Sequence, residues 1–299
     1  MGSSVDSVSA CWNGFAWLRT FSMRIAIGLE YDGARFCGWQ TQPQGCAVQD
    51  ALERALSEIA AEQIATTCAG RTDAGVHGLG QVAHFDTAAE RPLAAWVRGT
   101  NALLPPSVAV TWSRVPGAGF HARYAARSRT YVYVLLNRPV RPAAGHGRAG
   151  WFHAPLDVPR MQSAAQLILG EHDFSAFRAA ECQARTPVRT LSRLDIDRRG
   201  DYVIFEIRAN AFLHHMVRNI VGSLVYVGKG AQPADWLGEL LAGRDRSRAA
   251  PTFEAAGLYL AGVEYDAHWG LPSAPAPIVE EILAGDGGRS PVTNHESRT

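Results

Sequence analysis

Lysine is nearly missing from this chain: Lys229 is the only one among 29 basic residues. Basic contacts are therefore made by guanidinium groups, which fork onto phosphate with two hydrogen bonds and stack on bases. Long apolar runs are missing too, since none reaches the roughly 18 residues that a membrane-spanning helix requires. Cysteine is scarce. Cys11, Cys37, Cys46, Cys68 and Cys182 are odd in number, scattered, and include no Cys-x-x-Cys pair. That excludes a cysteine-built zinc module and fits buried thiols in a reducing cytoplasm better than disulfides. No Gly-x-x-x-x-Gly-Lys-Ser/Thr loop, Gly-x-Ser-x-Gly elbow or Gly-x-Gly-x-x-Gly turn is present. Phosphate-loop, hydrolase-elbow and dinucleotide-binding readings fall away with them.

One further absence is local. From Arg91 to Leu156 there is no Asp or Glu, yet the stretch holds nine arginines: Arg91, Arg98, Arg114, Arg123, Arg127, Arg129, Arg138, Arg141 and Arg148. Net charge over the 299 residues is only +1, so the rest of the chain is acidic in balance. Such segregation can make a positive field that holds a polyanion, or it can disperse over several faces on folding.

What is present fits an ordinary globular composition, 47% hydrophobic and 19% charged. Residues 1–22 lack the basic start and apolar core of a secretory signal and read as a leader outside the fold, with Met23 a candidate natural start. From 269 onward Ala, Pro, Gly and Ser dominate, giving a mobile tail with a short helix near 278–283. Between these ends two similar halves are expected, at 23–120 and 121–268. In the first, a strand at 24–31 precedes a helix over 47–60, whose Val48, Leu52, Leu56 and Ile59 form one stripe. A strand at 64–69, another at 80–86, a helix over 92–104 and a strand from Val108 follow. In the second, a strand at 130–136 leads to a helix capped by Asp157 and ending at Gly170. A hairpin over 188–197 and 202–209, a long helix over 212–228, a short one over 235–242 and a strand over 257–265 complete it. Each half is β-α-β-β-α-β, the ferredoxin-like order. The implied fold is α+β: a continuous, mainly antiparallel sheet with helices on one face. The opposite face and the seam between halves are left free for a cleft.

Three segments carry chemistry. In Gly70-Arg71-Thr72-Asp73-Ala74-Gly75-Val76-His77, glycines allow a tight turn that projects Asp73, with Arg71 as a counter-charge. An oriented carboxylate suits nucleophilic catalysis, although the same residues also make a plain strand connection. In Arg129-Thr130-Tyr131-Val132-Tyr133, alternation puts Arg129 and Tyr131 on one strand face, suited to stacking a base or to packing in the core. In Phe212-Leu213-His214-His215-Met216-Val217-Arg218-Asn219, Arg218 interrupts an apolar helical run, either as a surface residue or as a partner for a carboxylate. The His-His pair does not read as a metal site, because neighbours on a helix point about 100° apart and no carboxylate stands at ligand spacing.

These segments closely resemble the motifs of the tRNA pseudouridine synthase A (TruA) family. So do Tyr31-Asp32-Gly33, Gly38-Trp39-Gln40, Asn101-Ala102-Leu103-Leu104-Pro105 and Phe120-His121-Ala122-Arg123. The resemblance covers about residues 23–266. It implies a cytoplasmic, homodimeric isomerase that converts uridine to pseudouridine at positions 38, 39 and 40 of the tRNA anticodon stem-loop, without metal or other cofactor. It further implies that Asp73 is the nucleophile, that Tyr131 lies against the uracil, and that Arg218 pairs with Asp73. Arg71, Arg129, Arg123, Arg127 and His77 are the expected RNA contacts. The competing readings are a non-catalytic RNA-binding protein or chaperone on the same fold, and a pseudouridine synthase for another RNA.

Overall fold

Alternation of apolar residues along β1 (Met23–Tyr31) sends Ile25, Ile27, Leu29 and Tyr31 to one face. There they pack on Leu52 and Leu56 of α1 (Val48–Ala60). After the two-residue β2 (Thr67–Cys68) and β3 (His77–Thr87) comes α2 (Leu93–Leu103), which adds Trp96 to the same core. The first half closes with β4 (Val108–Arg114). The second half opens on β5 (Ala126–Asn137) and a short β6 (Gly150–Phe152). In α3 (Val158–Gln166) the Asp157 carboxylate accepts from the Arg160 N–H at 2.9 Å, the cap expected from sequence. Then follow β7 (Gly170–Asp173), the hairpin β8 (Val188–Arg199) and β9 (Tyr202–Ala209), α4 (Met216–Gly228), α5 (Trp236–Gly243) and β10 (Leu258–Tyr265). These elements belong to a computed structural model that describes residues 22–143 and 145–272. The expected leader up to residue 21 and nearly all of the expected tail lie outside the described residues.

The strands form one sheet in the order β4-β1-β3-β10-β5-β9-β8-β7, with β2 beside β3 and β6 beside β5. Pairing is antiparallel except for β10 on β3 and β6 on β5. The fold is thus the α+β arrangement expected, and β10, last in the chain, is the strand that welds the halves. Its Leu260 lies opposite Gly78 of β3, and a Cβ on Gly78 would meet the Tyr31 ring at 2.5 Å. Leu260 belongs to the second-half core with Tyr131, Tyr133 and Ile220 of α4, whereas Tyr31 belongs to the first-half core. Both helical layers therefore cover the same side of the sheet.

Four expectations need correction. The strand read at 64–69 shrinks to Thr67–Cys68, because the edge of β3 is shared: His77 and Gly78 pair with β10, and Ala83 and His84 pair with β2. The helix read from 212 begins at Met216, since His215 takes a left-handed conformation (φ 60°) and breaks the run. The helix α3 stops at Gln166, short of Gly170. Finally, Cys37 and Cys46 are not thiols but a disulfide, with Cα atoms 5.5 Å apart. Cys68 is a buried free thiol and Cys182 a partly exposed one.

Candidate active site

The octet around Asp73 runs between β2 and β3, and neighbouring groups hold its backbone from several sides. The Trp39 N–H donates to the Thr72 carbonyl at 3.0 Å, and the Tyr31 hydroxyl and Thr72 Oγ1 share a hydrogen bond at 2.9 Å. Gln81 Nε2 donates to the Gly70 carbonyl at 2.6 Å and Arg129 Nη2 to the Ala69 carbonyl at 2.9 Å. Gly38 (φ 100°) must be glycine, since its Cβ would come within 2.8 Å of the Thr72 carbonyl oxygen. Inside the loop the Val76 N–H closes a turn on the Asp73 carbonyl at 3.1 Å, with Gly75 at φ 79°. Pinned in this way, Asp73 projects its half-buried side chain from a rigid turn rather than from a mobile loop.

Its partners come from the start of α4. Arg218, in the first turn, donates from Nη1 to Asp73 Oδ2 at 3.2 Å and from Nε to the Phe253 carbonyl at 2.8 Å. The second bond fixes the guanidinium, so the first is made without much loss of side-chain freedom. His214 Nε2 lies 3.3 Å from Asp73 Oδ1, and His215 Nε2 lies 3.4 Å from Oδ2. Burial lowers the affinity of His215 for a proton, and the Asp73 carboxylate opposes that shift. A guanidinium and two imidazoles thus converge on the carboxylate from the start of α4 and orient it by charge-assisted hydrogen bonding.

Tyr131 on β5 lines the same cleft, its ring edge-on to Phe212 at 5.0 Å between centroids. Burial raises its phenol well above the ordinary tyrosine range, with Tyr31 and Asp73 adding to the shift, so it keeps its proton at neutral pH. The cleft has a volume of about 1150 Å³ and takes in Asp73, Tyr131, Arg218, Arg71, Arg123 and Arg129. It lies on the helix-covered side at the seam, not on the opposite face.

The remaining expected contacts divide. Arg71 and Arg123 are exposed at the cleft. Arg129 is buried, and its guanidinium donates to the carbonyls of Ala69, Arg123, Ala126 and Asn210, so it buttresses the floor. Arg127 is bound to Asp266 at 2.8 Å, outside the lining. His77 is also elsewhere: it is buried, stacked on Tyr259 at 4.5 Å, and lines a separate cavity of about 650 Å³. There its Nδ1 accepts from the Gly33 N–H at 3.2 Å and its Nε2 is 2.9 Å from the Gly147 carbonyl. Sequence reasoning missed the two histidines on Asp73. Their positions ahead of α4 remove the 100° argument made for a helix, and the carboxylate comes from the other half of the chain. Among the described residues Asp73, His214 and His215 are the one group of this kind whose candidate metal-ligand atoms come together, all within 4.8 Å.

A turn-borne carboxylate held by an arginine, beside a protonated tyrosine in a nucleotide-sized cleft, is the equipment of an enzyme that acts covalently on a polar substrate. Comparison with known proteins makes this specific. Residues 28–125 and 164–266 match the family described as tRNA pseudouridine synthase. The tRNA pseudouridine synthase A of Thiobacillus denitrificans is 62% identical over 252 residues, covering 84% of this chain and 97% of that protein. That of Burkholderia multivorans is 61% identical, covering 84% and 93%. A solved Cbf5–Nop10–Gar1 complex is a remote likeness at 12% identity and TM-score 0.35, covering 79% of this chain and 48% of that one. The chain belongs to the tRNA pseudouridine synthase family, and it is accordingly an isomerase. Among the described residues no helix is long and apolar enough to cross a membrane.

Proposed function

We propose that this protein isomerises uridine to pseudouridine at positions 38, 39 and 40 of the tRNA anticodon stem-loop, with Asp73 as the nucleophile. The observation that carries the reading is the meeting of Asp73, Arg218 and Tyr131, from three distant segments, in one cleft. The reaction breaks the bond from ribose carbon 1 to uracil nitrogen 1 and forms one to uracil carbon 5. Carbon 5 loses its proton and nitrogen 1 gains one, so nothing is oxidised, and the residues need supply only a nucleophile and proton traffic. Arg218 orients the carboxylate through its 3.2 Å hydrogen bond. Tyr131, protonated and buried, supports the base by packing and by its hydroxyl. A stacked uridine must leave its stack at a cost of a few kcal/mol, which phosphate contacts from Arg71 and Arg123 offset.

The protein works as a cytoplasmic homodimer, with one RNA spanning both subunits and no cofactor. A non-catalytic RNA chaperone would need the arginines and Tyr131 but would have no use for an ion pair fixed on Asp73. Incubation with carbon-5-tritiated tRNA tests the choice, since isomerisation releases tritium. Asp73→Asn keeps size and hydrogen bonding but removes the charge. It should abolish tritium release while tRNA affinity stays within a few fold. Turnover near the wild-type level in that variant would refute the reading.

A further inference from the structure

The meeting of two imidazoles and a carboxylate is more than the isomerase needs. Arg218 alone neutralises Asp73, yet His214 and His215 also turn their Nε2 atoms onto its two oxygens, at 3.3 and 3.4 Å. We propose that Asp73, His214 and His215 form a binding site for a first-row divalent transition ion of the zinc type, and that its occupancy silences the enzyme.

Geometry supports this first. With bonds of about 2.0–2.1 Å to nitrogen and oxygen, the donor atoms of a tetrahedral ion stand about 3.3–3.4 Å apart. Each imidazole already stands at that distance from one carboxylate oxygen, His214 from Oδ1 and His215 from Oδ2. The three donor atoms lie within 4.8 Å of one another, so small side-chain rotations bring both nitrogens and one oxygen onto a common centre. All three residues line the cleft, so an ion can reach them from it.

Preorganisation supports it next. The Ala179 N–H donates to the His214 carbonyl at 3.0 Å, and the His214 N–H to Cys182 Sγ at 3.4 Å. The Asn219 N–H donates to the His215 carbonyl at 2.9 Å, and Asp73 stands on its pinned turn. The backbone that carries the ligands is thus fixed before the ion arrives, and only side-chain rotation is left to order on binding.

The donor types set the selectivity. Two imidazoles and one carboxylate suit zinc, cobalt or nickel, whereas magnesium and calcium want an all-oxygen shell. The Arg218 guanidinium stays on Oδ2, steadying the carboxylate but repelling the ion, so binding is reversible rather than structural. An ion held here occupies the carboxylate that attacks the substrate. This silencing rests on the reading of Asp73 as nucleophile, while the binding itself does not.

The test separates the two. Chelator-treated full-length protein is titrated with Co2+, read by the visible absorption of a four-coordinate ion, and then with Zn2+, which should displace it. One equivalent of Co2+ should bind with that spectrum. Loss of outer-shell partners commonly weakens metal sites about 10–100-fold. Removing a direct ligand in His214→Ala, His215→Asn or Asp73→Asn should therefore weaken binding at least about tenfold. Asparagine is chosen at 215 because it tolerates the left-handed backbone there, and unchanged far-ultraviolet dichroism checks that each variant folds. No four-coordinate spectrum in the wild type, or equal affinity in all three variants, overturns the proposal. Zn2+ binding that is lost in the variants but does not slow tritium release by the wild type would uphold the site and overturn the silencing.

Discussion

Tyr131 shows how one residue can serve a cleft in two ways that a single substitution will separate. Its ring is braced by Phe212, and its hydroxyl keeps its proton because the surroundings are apolar. Tyr131→Phe retains the ring and its stacking, worth about 1–3 kcal/mol per base, whereas Tyr131→Leu removes most of it. If packing is the main contribution, Phe should keep much of the single-turnover rate and Leu should lose it. If the hydroxyl moves the carbon-5 proton, Phe should fall too, by the roughly 10²–10⁴-fold typical of acid–base assistance. Arg129 makes the opposite point. Alternation put it on the same face as Tyr131, and so it is, but its donors are spent on four backbone carbonyls. A sequence pattern gives the face of a side chain, not the groups that await it there.

At the level of elements, the seam is held by backbones that touch. A Cβ on Gly80 of β3 would come within 2.5 Å of the Ala261 carbonyl oxygen and 2.9 Å of the Gly262 Cα on β10. Both are main-chain atoms and cannot rotate away. Gly80→Ala should therefore wedge β3 from β10 and lower unfolding free energy by about 1–3 kcal/mol, seen as a lower midpoint in urea. Activity should fall as well, because Asp73 hangs from β3 and Tyr131 from β5 on the other side of β10. The elements themselves were largely legible: α1 from its stripe, α3 from its Asp157 cap, the β8–β9 hairpin from the turn at Gly200. What escaped was set by distant partners. β2 is short because β10 takes part of the β3 edge on which it pairs, and β6, three residues of Gly-Trp-Phe, is too brief to show a period. At the site, the motifs marked Asp73, Tyr131 and Arg218. The approach of His214 and His215 to Asp73 depended instead on a left-handed residue that helical spacing from Phe212 through Met216 to Ile220 concealed.

The whole molecule answers to pH and salt through groups whose positions are now fixed. His84 is buried, and desolvation, with Arg24 and His121 nearby, brings its pKa down to about 4. Its Nδ1 accepts from the Ala122 N–H at 3.2 Å, which suits the neutral ring. The unfolded chain takes up this proton near pH 6.5 and the folded chain does not. Stability from this group is thus whole above pH 6.5 and declines as pH falls toward 4. His84→Asn, which offers an oxygen in place of Nδ1, should flatten that acid limb by about 1–3 kcal/mol in unfolding experiments. Salt probes the RNA path instead. The acid-free stretch does not form one face: Arg123 and Arg129 reach the cleft, Arg148 lines the other cavity, Arg127 is tied to Asp266, and Arg91 bonds the Ile59 carbonyl. Local sequence charge is therefore a poor guide to where phosphates run, and exposure at the cleft is a better one. Arg71→Gln with Arg123→Gln should weaken tRNA binding and reduce the slope of log affinity against log salt by about 0.7–0.9 for each phosphate left without its arginine. Arg127→Gln with Arg148→Gln removes equal charge and should leave the slope unchanged. The reverse result would mean that tRNA approaches over the uncovered face of the sheet, away from Asp73, which no isomerase acting through that carboxylate could use.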